Sequence, residues 1–186
     1  MTLETKRLLL RPWEAGDAEE LYRYAKDPRV GPPCGWAPHA DLTASREVLR
    51  TVLCVPETYA VVLKTTGRPI GSVSIKPPDQ SDAPASATEA EIGYWLGVPY
   101  WGQGLIPEAV EALQRHCFAD LALTAIWCGY YDGNEKSKRV QEKCGFAYHH
   151  TTEPRQTLLG DMRIEHFTYL TKEEWERLYP LLSMGT

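Results

Sequence analysis

The chain has 186 residues, 43% of them apolar and 24% charged, with 20 basic against 25 acidic side chains and a net charge of -5. That length can bury a core without staples and predicts a single domain, residues 1–186. The acidic balance excludes a nucleic-acid-coating role, and no apolar run approaches the ~20 residues of a membrane span. Met1 to Arg7 carries charge where a secretory signal is apolar, so a cytoplasmic location is expected. Cys34, Cys54, Cys117, Cys128 and Cys144 include no Cys-x-x-Cys pair. They are read as reduced thiols, with no disulfide framework and no metal.

In chain order, Thr5 to Arg11 is predicted as a strand closed by Pro12, which cannot donate to a ladder. Asp17 is placed as the cap of a helix whose inner face is Ala18, Leu21, Tyr22 and Ala25. A Gly/Pro-rich stretch from Pro28 to Pro38 leads to a second helix, Leu42 to Leu53, capped by Asp41. Tyr59–Leu63 and Ile70–Ile75 read as antiparallel strands joined at Thr66-Gly67. The Pro-rich segment Pro77 to Ala87 reads as a long exposed loop.

The second half opens with a strand, Glu91 to Leu96. A helix from Glu108 to Phe118 follows, with Ala109, Leu113 and either Cys117 or His116 inward. The next strand, Ala125 to Tyr130, completes a βαβ unit and must run parallel to the first. A helix from Glu135 to Lys143 stops at Gly145. A hairpin of Ala147–Leu158 and Met162–Leu170 turns at Gly160-Asp161. The last helix, Lys172 to Leu178, starts behind a Thr171/Glu174 capping box. The fold class is α/β (α+β), one mixed sheet with flanking helices.

The informative segment is Trp101-Gly102-Gln103-Gly104-Leu105-Ile106-Pro107-Glu108. Two glycines precede a helix whose first turn holds Pro107, a residue favoured at N1 because its missing donor is not needed there. Main-chain N–H groups at a helix start meet the positive end of the dipole, and glycine admits an anion close to them. This reads as a pyrophosphate cradle; a tight turn before a buried helix is the other reading. Pro107 stands where a dinucleotide fingerprint needs its third glycine, and no P-loop lysine is present. Gly97-Val98-Pro99 ends the preceding strand, and Pro99 withdraws a donor from the ladder. Strands that part there leave a crevice at their carboxyl ends, where an extended amide-bearing chain could pair as a strand.

Together with Asn134-x-x-Ser137 and Glu142-Lys143-Cys144-Gly145-Phe146, these blocks resemble the GCN5-related N-acetyltransferase (GNAT) superfamily. They are most similar to its branch of ribosomal-protein alanine acetyltransferase-like (RimJ/RimL-type) proteins. Thr5-Lys6-Arg7-Leu8-Leu9-Leu10-Arg11-Pro12, Glu91-Ile92-Gly93-Tyr94-Trp95-Leu96 and Thr171-Lys172-Glu173-Glu174-Trp175 carry the likeness over nearly the whole chain. The resemblance implies a GNAT fold: a mixed central sheet of about seven strands with a parallel, splayed pair. It also implies acetyl-CoA as co-substrate, with no metal. Trp101 stands where the superfamily usually has Gln or Arg, and Ile106 where it has a small residue, which would narrow the cradle.

By the same resemblance, the backbone of Trp95, Leu96 and Val98 would pair with the pantetheine arm. Amides of Trp101, Gly102, Gln103, Gly104, Leu105 and Ile106 would hold the pyrophosphate. Asn134 would orient the thioester end or an ordered water, a cap of its own helix being the alternative. Lys136, Lys138 and Lys143 would meet a 3′-phosphate or form a solvated face.

Such enzymes let an amine attack the acetyl carbonyl directly in a ternary complex, and the amine must be neutral. Neutralising a lysine side chain of pKa ~10.4 at pH 7 costs roughly 4.6 kcal/mol, and an α-amine of pKa ~7.8 only about 1 kcal/mol. Glu91 is the candidate base, against a plain solvent-facing strand residue. Ser137 is the candidate acid for the departing thiolate, against a bond to its own helix; Tyr94, Tyr130 and Tyr131 are rivals. No cysteine has a histidine partner that would make it a nucleophile.

Trp36 and His39, on the loop between the first two helices, are candidate acceptor contacts, with packing over the core as the alternative. The function expected is acetyl transfer to a primary amine, on a small molecule or a protein N-terminus. A non-catalytic acyl-CoA-binding sensor or scaffold is the alternative, and monomer and homodimer both stay open.

Overall fold

The computed structural model describes residues 1–180. Ten strands form: β1 (Leu3–Glu4), β2 (Leu8–Pro12), β3 (Thr58–Leu63), β4 (Arg68–Lys76), β5 (Glu89–Leu96), β6 (Ala125–Tyr131), β7 (Ala147–Thr151), β8 (Arg155–Gln156), β9 (Met162–Arg163) and β10 (Glu165–Thr171). Eight of them make one sheet in the order β1-β2-β3-β4-β5-β6-β10-β7, and β8 and β9 form a separate ribbon. The short β1 strand is the element beyond the seven or so expected. β5 and β6 run parallel, while β2–β3, β3–β4, β6–β10 and β10–β7 are antiparallel. The helices are α1 (Ala18–Ala25), α2 (Leu42–Val48), α3 (Leu105–Arg115), α4 (Glu135–Lys143) and α5 (Lys172–Leu178).

The chain packs as two compact units. The first holds Met1–Ser74, Tyr94–Ala109 and Gln156–Met162; the second holds Ile75–Gly93, Val110–Arg155 and the chain from Arg163 onward.

In the first unit, alternation along β2 sends Leu8 and Leu10 fully inside. Trp13, Ala18, Leu21, Ala25, Leu49, Leu53, Ala60 and Val62 form its core. On α1 the buried tyrosine is Tyr24, not Tyr22. Asp17 does not cap α1 as expected. Its carboxylate is drawn instead to Arg11, 2.7 and 2.8 Å away, and accepts from the Glu14 N–H at 2.9 Å. A two-point guanidinium contact outcompetes a single amide for that anion. Asp41 does cap α2, accepting from the Ala44 N–H at 2.8 Å. That helix widens into a π turn at Leu49–Leu53.

In the second unit Phe118, Leu113, Ile126, Leu170 and Trp175 are buried, as are both His116 and Cys117. α4 has its Asn134 cap and a left-handed Gly145 at its end, and α5 carries the Thr171/Glu174 capping box in full. The loop from Pro77 to Ala87 is less exposed than its composition predicts. Ala83 packs with Trp127 and Phe167 in a separate apolar cluster.

Candidate active site

α3 begins at Leu105, not Glu108, so Pro107 is its third residue. Its missing N–H is still one of the first-turn donors without an intrahelical partner, and the helix tolerates it. Gly102 and Gly104 sit at φ +74 and +71, which side chains bearing a Cβ resist. A Cβ on Gly102 would meet nothing within 4 Å, so the loop's outer surface is open. Among the described residues no protein acceptor meets the N–H groups of Gly102, Gln103, Gly104, Leu105 or Ile106. This is a cradle of bare main-chain donors at a helix start, an arrangement whose dipole favours an anion. Leu105 and Ile106 are buried.

The cradle is strapped in place. The Glu108 carboxylate accepts from the Thr5 hydroxyl at 2.6 Å, the Arg7 N–H at 2.7 Å and Arg7 Nε at 2.6 Å. Arg7 Nη1 donates to the Gln103 carbonyl at 2.9 Å, and the Gln103 amide donates to the Pro99 carbonyl at 3.0 Å. Burial works to raise the Glu108 pKa, but these hydrogen bonds outweigh it and the net shift is downward.

Upstream, the Trp101 indole donates to the Leu96 carbonyl at 2.8 Å. One lone pair of that carbonyl is therefore committed inside the protein. The Val98 N–H meets no acceptor among the described residues. Trp95 stacks on Trp13 at 6.3 Å, with Trp36 edge-on to it at 6.0 Å. Trp36 is thus packed on the core. His39 lies 5.5 Å from the Trp36 ring and 2.7 Å from the Ser45 hydroxyl, and burial lowers its pKa.

In the second unit the parallel ladder runs over Glu89↔Ala125, Ala90↔Ile126 and Glu91↔Trp127. Asn134 Oδ1 accepts from the Ser137 N–H at 3.2 Å, so the cap reading of Asn134 holds. The Ser137 hydroxyl accepts from Gln141 Nε2 at 3.2 Å. The same Gln141 amide donates to the Gly129 carbonyl at 3.0 Å. Burial raises the Tyr130 and Tyr131 pKa values, which keeps both phenols protonated; Tyr94 is half-buried on β5. Lys136 and Lys143 are exposed and Lys138 is half-buried on α4.

Glu91 is not a solvent-facing strand residue: it is only 4% exposed. Its carboxylate receives Lys76 Nζ at 2.9 Å, the Ser81 hydroxyl at 2.7 Å and the Asp82 N–H at 3.1 Å. Burial opposes the Lys76 charge, yet Glu91 prevails and the Lys76 pKa is raised. Glu91 is an anchored anion. Close by, Glu165 has a carboxyl pushed up to about 7 by burial and by Glu91 and Asp82. Among the described residues no donor bonds that carboxyl.

A family model described as an acetyltransferase (GNAT) domain matches residues 7–147. The chain belongs to the GNAT acetyltransferase family. This acetyltransferase is 32% identical over 150 residues to a Bacillus licheniformis protein named uncharacterized N-acetyltransferase p20, covering 78% of this chain and 82% of that one. A GNAT-family acetyltransferase structure from Bacillus anthracis superposes with a TM-score of 0.81 at 20% identity, over 93% of this chain and 99% of the other. The ribosomal-protein-S5-alanine acetyltransferase of Vibrio fischeri does so with a TM-score of 0.72 at 21% identity, over 94% and 98%.

Acetyl-CoA is the acyl donor of this family, and the residues fit it. The cradle's donors suit a diphosphate, and no Cβ obstructs their outer face. Among the described residues no group of three His, Cys, Asp or Glu could hold a metal ion, and no helix is long and apolar enough to cross a membrane. Sequence reasoning did not find the Arg7–Glu108 strap or Glu165. The strap joins residues with no shared motif, and Glu165 reads from sequence as one more alternating strand position.

Proposed function

We propose that this acetyltransferase moves the acetyl group of acetyl-CoA to a primary amine, by direct attack of the amine in a ternary complex. A protein N-terminal α-amine of the ribosomal-protein type is the acceptor class favoured, in line with the branch resemblance and with the name of the Vibrio fischeri neighbour. The catalytic domain is taken as residues 1–186, working in the cytoplasm. The observation that carries this reading is the row of unengaged main-chain donors from Gly102 to Ile106 at the head of α3.

In this reading the cradle holds the pyrophosphate, while the backbone of Trp95, Leu96 and Val98 receives the pantetheine arm. Asn134, which also caps α4, orients the thioester end of the cofactor or an ordered water. Ser137, at the head of α4, supplies the proton for the departing sulfur, the role of the serine it matches in the family. Glu91, with three donors already on it, holds Lys76 and the loop around Ser81 in place and sets the local field. Trp36 and His39 form part of the wall that meets the acceptor.

Incubation with acetyl-CoA and a panel of amines, following release of free thiol, tests the proposal. The panel includes an Ala-starting peptide, an N-acetylated lysine peptide and spermidine. Thiol release above the rate of hydrolysis with at least one acceptor is the expected result. Release with none would overturn it.

A further inference from the structure

We infer that Glu165 is the base that takes the proton from the acceptor ammonium in this transfer. The inference rests on the reading above, and it moves that role away from Glu91. Glu165 opposes Tyr131 in the β10–β6 ladder, and its carboxyl crosses in front of Gly129. A Cβ on Gly129 would lie 2.5 Å from Glu165 Oε1, so the glycine leaves that carboxyl its space. Trp127, Gly129 and Tyr131 share one face of β6 by the two-residue repeat, and Glu91 partners Trp127 across the parallel pair. Glu165 therefore lies on the same face as Glu91. It sits beside the strand residue two past the last registered parallel pair, where the two strands cease to pair in register. Gln141 bonds Thr168, which opposes Cys128 on the other face, and links the Gly129 carbonyl to the Ser137 hydroxyl, so the inferred base and the proposed acid approach Gly129 from opposite faces of the sheet.

The two carboxylates differ in what they have left to accept a proton with. Glu91 has a lysine, a hydroxyl and an amide on it. Glu165 is half-buried and bonded by no donor among the described residues. The groups around it are Glu91 on β5, Asp82 in the loop, Lys76 on β4, Tyr131 on β6 and Arg155 on β8. His150 on β7 is stacked on the neighbouring Phe167. Burial and the two acids outweigh the two cations, and the carboxyl titrates near 7. A base there lies within about one unit of an α-ammonium of pKa ~7.8 and about three units below a lysine ammonium of ~10.4. Its protonation matches an α-amine acceptor.

The balance is simple. The ammonium gives one proton to the Glu165 carboxylate, and the neutral nitrogen bonds to the acetyl carbonyl carbon. The carbon–sulfur bond breaks, and a second nitrogen proton ends on sulfur by way of the Ser137 hydroxyl. Glu165 then returns its proton to solvent, leaving an amide, a free thiol and one released proton.

The test compares wild type with Glu165→Gln and Glu165→Asp, using the Ala-starting peptide as acceptor. The expected result is a loss of about 10²-fold or more in kcat/KM for Glu165→Gln, with acetyl-CoA affinity unchanged. Glu165→Asp should recover part of the loss, and the wild-type acid limb near pH 7 should vanish in the glutamine variant. A carboxyl ¹³C titration of the wild-type protein, which needs no variant to fold, should place Glu165 near 7. Glu165→Gln turning over within threefold of wild type, or a carboxyl titrating near 4.5, overturns the assignment and leaves acetyl transfer standing. A wild-type protein that binds acetyl-CoA but acetylates no amine overturns both.

Discussion

Arg7 and Glu108 stand 101 positions apart and meet at 2.6 Å, guanidinium on carboxylate. The same arginine holds the Gln103 carbonyl, so one side chain fixes both the loop of the cradle and the first turn of its helix. Arg7→Ala should raise the acetyl-CoA dissociation constant about tenfold, equivalent to ~1.4 kcal/mol, as read by calorimetry. The Glu108 pKa is lowered in the folded state. Its contribution to stability is complete above the ordinary carboxylate range and is lost as pH falls through the lowered value. Acid unfolding curves should therefore show wild type losing stability below about pH 4.5 more steeply than Glu108→Gln.

The positive φ of Gly104 gives a sharper test of the cradle. Gly104→Ala should cost about 1–2 kcal/mol in urea unfolding for its left-handed backbone. Acetyl-CoA binding should weaken more than tenfold, because strain relief would turn the cradle's amides away. Binding that stays at wild-type strength would separate this turn from the cofactor.

Much of this molecule is legible in its sequence. Pro107 with two glycines before it marks the helix start to within three residues, and the Thr171/Glu174 box marks α5 to the residue. Local backbone chemistry writes these features, so short stretches of sequence reveal them. What escapes is decided by partners distant in the chain. Asp17 looks like a cap until Arg11 claims it. Glu91 looks like a free strand carboxylate until Lys76, Ser81 and Asp82 close on it. Glu165 gains its raised pKa only from the charges that the fold gathers around it.

Glu91 should matter to stability before chemistry. Glu91→Gln leaves Lys76 facing a neutral amide, and urea unfolding should show a loss of about 2 kcal/mol. That is below the 3–5 kcal/mol of a fully buried pair, because the lysine side chain keeps 36% exposure. Glu91→Gln with Lys76→Met should recover part of the loss.

Ser137→Ala should lower kcat by about 10²-fold while leaving acetyl-CoA affinity and melting temperature close to wild type. Single-turnover measurements of thiol release separate the two. A fall in affinity with kcat unchanged would make Ser137 a binding residue.

Glu165 carries a stability signature with a defined sign. Its carboxyl is raised from 4.5 to about 7 in the folded state, so the fold binds that proton more tightly than the unfolded chain does. Stability falls as pH rises between those values, by roughly 3 kcal/mol at ~1.4 kcal/mol per unit. Glu165→Gln should then melt higher than wild type at pH 8 and about equally at pH 4.

The Pro-rich excursion after β4 invites trimming by anyone seeking a tighter variant. Shortening it would strip Glu91 of two of its three donors and pull Ala83 out from beside Trp127. A buried anion would be left leaning on a single lysine. What looks like slack in this chain is the clasp that keeps an interior charge solvated by protein, and deletions here should cripple folding where deletions at the Gly160 turn do not.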